Sequence, residues 1–100
     1  MRRNQFTVDA ESVQGNAGAT VTFRCVRVRE MNAWRDDPEQ NDSTMLQTHV
    51  VDWGGFEDDD GTALPSPAAY PEVLGELLLH EQRALAEMLL RGPDGPQAKN

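Results

Sequence analysis

The sequence predicts one small α+β domain: an antiparallel β-sheet or long hairpin, with strands near 20–30 and 45–53, packed with a C-terminal amphipathic helix at about 71–91. Three observations predict it. Residues 19–31, A-T-V-T-F-R-C-V-R-V-R-E-M, alternate apolar and polar side chains and are rich in β-branched residues, the pattern of a half-buried strand. Residues 45–53, M-L-Q-T-H-V-V-D-W, alternate in the same way. From position 71 onward, Val73, Leu74, Leu77, Leu78, Ala84, Leu85, Met88 and Leu89 recur at helical spacing.

Taken in order, Phe6-Thr7-Val8 reads as a short strand and Gly15-Asn16-Ala17-Gly18 as a turn. In the first long strand Val21, Phe23 and Cys25 share one face, while Val26 and Val28 fall on the other. That slip of phase predicts a β-bulge near Cys25 and Val26 or a strand buried partly on both faces. Residues 35–44, R-D-D-P-E-Q-N-D-S-T, hold no large apolar group and read as a flexible loop joining antiparallel partners. Gly54-Gly55 ends the second strand. Asp60-Gly61 predicts a tight turn with Gly61 at positive φ. Ser66-Pro67 predicts a short helical turn through Tyr70, and Pro71 opens the main helix. Gly92-Pro93 stops it, so residues 1–91 form the domain and 92–100 a disordered tail.

Composition narrows the function. The chain of 100 residues has 38% hydrophobic and 26% charged residues, enough for one modest core with a polar periphery. Cys25 is the only cysteine, so no disulfide framework forms within the chain. The start, M-R-R-N-Q-F, lacks the apolar run of a signal peptide, and purely apolar runs such as Leu77-Leu78-Leu79 fall far short of a membrane span. The expected location is a reducing cytoplasm, with no membrane contact. Net charge is −8 and unevenly spread: residues 1–35 carry six Arg against three acids, a balance of +3, and residues 36–100 carry three cations against fourteen acids, a balance of −11. An acidic surface repels phosphate backbones, so nucleic-acid binding is not expected.

No catalytic or metal motif emerges. Cys25, His49 and His80 show none of the C-x-x-C, H-x-x-x-H or H-E-x-x-H spacings. Cys25 sits in an apolar alternation and reads as a small buried hydrophobe. For residues 57–60, aligning Gly61 with the glycine of a calcium loop puts Phe56 where the first Asp belongs and Pro67 where the closing Glu belongs. A solvated turn fits better. The chain is expected to have no cofactor and to work by gripping another protein. The candidate partner-binding residues are Trp53 and Phe56, bracketing Gly54-Gly55, and Leu74, Leu77, Leu78, Leu85, Met88 and Leu89 on the C-terminal stripe. Met31, Met45 and Met88 are adaptable contacts if exposed.

Residues 50–67, V-V-D-W-G-G-F-E-D-D-D-G-T-A-L-P-S-P, resemble a signature of the phage tail assembly chaperones: a strand ending in Trp, an acidic turn, an L-P segment and then a helix. The Arg-rich stretch 21–29 and the tail ending Lys99-Asn100 are also similar, so the resemblance spans roughly residues 20–100. The chain departs from the pattern at Ala68-Ala69-Tyr70, where Pro71 interrupts the helix. The resemblance implies a mixed or largely helical fold that often self-associates and has no catalytic residues. It implies binding of the tape-measure protein and of tail-tube subunits in the host cytoplasm. The alternatives are a structural virion component, such as a tail-completion or connector subunit, and an acidic inhibitor that mimics DNA.

Overall fold

The computed structural model describes residues 4–93. Strands β1 (Gln5–Asp9), β2 (Thr20–Arg24) and β3 (Val50–Gly54) form one antiparallel sheet in that order, so the chain is a small α+β domain. In β1, Phe6 and Val8 are buried and their neighbours turn outward; β2 repeats this with Val21 and Phe23. The register sets Phe6 opposite Phe23 and Val8 opposite Val21, which fills one face. The two phenyl rings tilt together at 5.4 Å. On the other face the Thr7 and Thr22 hydroxyls hydrogen-bond at 2.8 Å. This one-sided burial is usual for antiparallel sheets.

Between β2 and β3 the pairing runs Thr20–Gly54, Val21–Trp53 and Thr22–Asp52, and then Phe23 faces Val50. Val51 is therefore an extra residue, a bulge in β3. It lets Val50 and Trp53 both point inward although they do not follow the strand's period of two.

The expected strands at 20–30 and 45–53 are shorter than their alternation suggests. β2 stops at Arg24, and the chain turns into helix α2 (Val28–Asp36). The bulge expected near Cys25 and Val26 lies instead at Val51. Glu30 favours the helix: its Oε1 accepts the Arg27 N–H at 3.0 Å, satisfying a donor that a helix start leaves open. Residues 45–49 belong to helix α3 (Asp42–His49), which runs straight into β3. Its start is a reciprocal cap, in which Asn41 Oδ1 accepts the Thr44 N–H at 3.1 Å and Thr44 Oγ1 accepts the Asn41 N–H at 2.9 Å. The stretch expected as one loop at 35–44 is thus mainly a helix end and a helix start.

The C-terminal helix expected at 71–91 is divided. A 3-10 turn, Pro71–Glu76, is followed by Leu77 and Leu78 in extended backbone and then by α4 (Leu79–Arg91). Glu81 fixes the restart. Its Oε1 accepts the Leu78 N–H at 2.8 Å, and its Oε2 accepts Gln14 Nε2–H from the one-turn helix α1 (Glu11–Gln14) at 2.7 Å. Gly92 ends α4, and the tail expected from 92 falls outside the described residues from position 94 on. Helix α4 packs on α3, and both contribute to the core over the sheet.

Segment 54–66 ties β3 to this C-terminal half. Trp53 stacks on Phe56 with centroids 4.4 Å apart, and its indole N–H donates to Pro65 O at 3.0 Å. Ser66 Oγ donates to Asp52 Oδ1 at 2.6 Å. Between them Asp58 Oδ1 accepts the N–H groups of Asp60 and Thr62, so this carboxylate holds its own turn. Gly55 allows the close approach: φ is +78°, and a Cβ there would sit 3.0 Å from Ala19 Cα. Gly61 has a similar φ of +80° but open space around it. Gly61→Ala is expected to cost about 1–2 kcal/mol from the left-handed backbone alone. Gly55→Ala is expected to cost more, because the Ala19 backbone must also move. Urea midpoints of the two variants check the order.

Candidate functional site

The structure places six of the eight candidate partner-binding residues in the core: Trp53, Phe56, Leu74, Leu85, Met88 and Leu89 are buried. Leu77 is half-buried against the same cluster, and only Leu78 is exposed. The physical reason is supply. One sheet face needs a full cover, and a chain this small has few other large apolar side chains to provide it. Met45 and Met88 are buried as well, and Met31 packs partly against the core. In the folded chain Trp53, Phe56, Leu74, Leu85, Met88 and Leu89 are spent on the core, and of the buried methionines Met45 also borders a cleft. Among the described residues the large apolar side chains that face water are Val28, Tyr70, Leu78, Leu79 and Leu90, with Leu79 61% and Leu90 45% exposed.

A cleft of about 230 Å³ opens between α2 and α3. Val26, Glu30, Ala33, Trp34 and Asp37 form one wall, at the spacing of a single helical stripe, and Met45, Thr48 and His49 from α3 face them across Gln40. Trp34 is pinned to the connecting segment by its indole N–H, which donates to Asn41 O at 3.2 Å. No α2 residue is fully buried, so polar contacts do much to hold this helix in place.

Those contacts centre on Glu30. Arg24, at the end of β2, reaches it with both terminal nitrogens: Nη1 donates to Oε1 at 3.2 Å and Nη2 to Oε2 at 2.8 Å. Such a fork is the strong form of carboxylate recognition. His49, 4% exposed, stands behind it. Its Nδ1 lies 2.9 Å from Met45 O, which can only accept, so Nδ1 carries the hydrogen. Nε2 then accepts from Arg24 Nη2 at 3.3 Å and lies 3.4 Å from Glu30 Oε2. The hydrogen bond from Arg24 holds the Glu30 carboxyl down at about 2, and the Arg27 N–H and the Arg24 charge add to the shift against the desolvation that opposes it. The same pair raises Arg24. A carboxylate tied this firmly is a weak proton acceptor at neutral pH and is suited to holding a shape.

Cys25 is half-buried, and His80 is exposed on α4. Among the described residues no three His, Cys, Asp or Glu side chains are grouped to hold a metal ion, and no helix is long and apolar enough to cross a membrane. The cleft is the site that the sequence reading does not reach. Its signal is the spacing of Glu30, Ala33, Trp34 and Asp37, which forms a stripe only once this stretch is helical. Compared with family models, curated proteins and solved structures, the chain matches none.

The sign of the pH dependence follows from Glu30. Its folded value of about 2 lies below the ordinary 4.5, so folding favours the ionised form. The contribution is complete above the ordinary value and is lost as pH falls from about 4.5 through about 2. Glu30→Gln is expected to be less stable than the natural chain at pH 7, with the gap closing toward pH 2. Urea unfolding of both proteins across that range checks this.

Proposed function

We propose that the chain is a non-enzymatic assembly chaperone of a long-tailed phage, binding the tape-measure protein and tail-tube subunits in the host cytoplasm while the tail is built. The observation that carries the reading is the set of leucines left in water on α4, with Arg83 and Glu87 exposed between them. Leu79 and Leu90 are three turns apart on one side of the helix, with Leu78 just ahead of them. A long helical client presents apolar ridges, and leucine anchors at this spacing, with Arg83 and Glu87 between them, fit alongside one. The net charge of −8 keeps such a complex dissolved. The likeness of residues 50–67 to the family signature supports the same reading, because Trp53, Phe56, Pro65 and Ser66 lock that segment into one unit beside α4.

The experiment is co-expression with the tape-measure protein encoded by the same genome, followed by affinity capture. The natural chain is expected to hold the client in the soluble fraction. Leu79→Asp with Leu90→Asp is expected to lower capture at least about tenfold while leaving the far-UV spectrum unchanged, since both side chains are exposed. Undiminished capture by that double variant contradicts the reading. Recovery of the chain in purified particles favours a tail-completion or connector subunit instead.

A further inference from the structure

The cleft between α2 and α3 has apolar groups on both walls and one acidic end. Val26, Ala33, Met45 and the Trp34 ring supply the first, and Asp37 supplies the second. Glu30 is already neutralised by Arg24, whereas Asp37 uses Oδ1 on the Glu39 N–H at 3.0 Å and has no cation beside it in the lining. Asp36, Glu39 and Asp42 flank this end in sequence, against the one cation Arg35, and none of them lines the cleft. No Lys or Arg is among the lining residues. At about 230 Å³ the space is smaller than a typical small-molecule pocket and suits one long side chain.

We infer that this cleft takes an arginine side chain from a partner protein. The aliphatic stem lies along Val26, Ala33 and Met45, and the guanidinium stacks on the Trp34 indole and pairs with Asp37. Arginine fits better than lysine because its planar head both stacks on an aromatic face and presents a fork to a carboxylate. Arginine anchors in such pockets are frequent centres of binding energy. The inference rests on the chain being a protein-binding module, and it does not depend on which protein is bound.

The test is a titration of the ¹⁵N-labelled chain with N-acetyl-Ala-Arg-Ala-amide, followed by NMR. Saturable shifts are expected for the Trp34 indole N–H and the Ala33 and Asp37 amides, while the Trp53 indole N–H in the core stays in place. The matching citrulline peptide, of the same shape but without charge, is expected to bind at least about fivefold more weakly. Asp37→Asn retains Oδ1 for the Glu39 N–H and so keeps the connection, but is expected to weaken the arginine peptide about three- to tenfold. Absence of a saturable Trp34 shift overturns the inference, as does citrulline binding equal to arginine. Lysine-peptide binding as tight as arginine overturns the guanidinium assignment. No client is present, so a negative titration counts against the cleft alone, and failure of client capture counts against the chaperone reading alone.

Discussion

Trp53 lies flat against Phe56, with 4° between the ring planes, and the C-terminal half of the chain hangs on that contact. The stack forms because the bulge at Val51 turns Trp53 inward and because Gly55 lets the backbone pass within contact of Ala19. Around it, Leu64 N–H returns to Phe56 O, Pro65 O accepts the indole N–H, and Ser66 is fastened to Asp52. Two large rings buried together contribute more than their area alone, by about 0.5–1.5 kcal/mol. Their larger effect is positional: they bring the chain out of the sheet at the angle that lets the 3-10 turn and α4 fold back over it.

The consequence is a core that consumes nearly all of the apolar stripe. Val73 and Leu74 from the turn, and Leu85, Met88 and Leu89 from α4, complete the cover over Phe6, Val21 and Phe23. A polar chain fixes the edge of this cover. Gln14 donates to Glu81 at the start of α4 and accepts the Glu57 N–H at 2.8 Å. Among the described residues no buried side-chain N or O lacks a hydrogen-bond partner, so the lid closes at little desolvation cost. What stays outside this cover is the leucines on the far side of α4 and the cleft beside α2, which the Arg24–Glu30 pair and the partial packing of Met31 and Trp34 hold in place.

Much of this fold is legible in the sequence where its causes are local. Alternation around Phe6 and Val8 and around Val21 and Phe23, the Asp60-Gly61 turn, the Ser66-Pro67 turn and Gly92 as a stop each act within a few residues, and each is found in place, whereas Pro71 opens a 3-10 turn and not the main helix. The misses come from contacts that periodicity does not show, some near in sequence and some far. Val26 and Val28 between arginines look like more strand, but the fork from Arg24 to Glu30 joins residues six apart and rewards a helix. The Asn41–Thr44 cap is written in N-D-S-T, yet that stretch is so polar that it reads equally as loop. The break at Leu77 and Leu78 depends on Glu81 meeting Gln14, 67 positions away. The cleft is hidden for the same reason, because its wall exists only once α2 does. The stripe on α4 is legible as a stripe, but its periodicity carries no mark of whether a sheet or a partner covers it.

The central claim is that one side of α4 is spent inside the molecule and the other remains for a partner. Thiol labelling of single-cysteine variants measures it directly. In a Cys25→Ser background, Leu79→Cys and Leu90→Cys are expected to react at rates close to an unfolded peptide, and Met88→Cys and Leu89→Cys at least about a hundredfold more slowly. Equal, fast labelling at all four positions would show that α4 does not seal the sheet and would contradict the account.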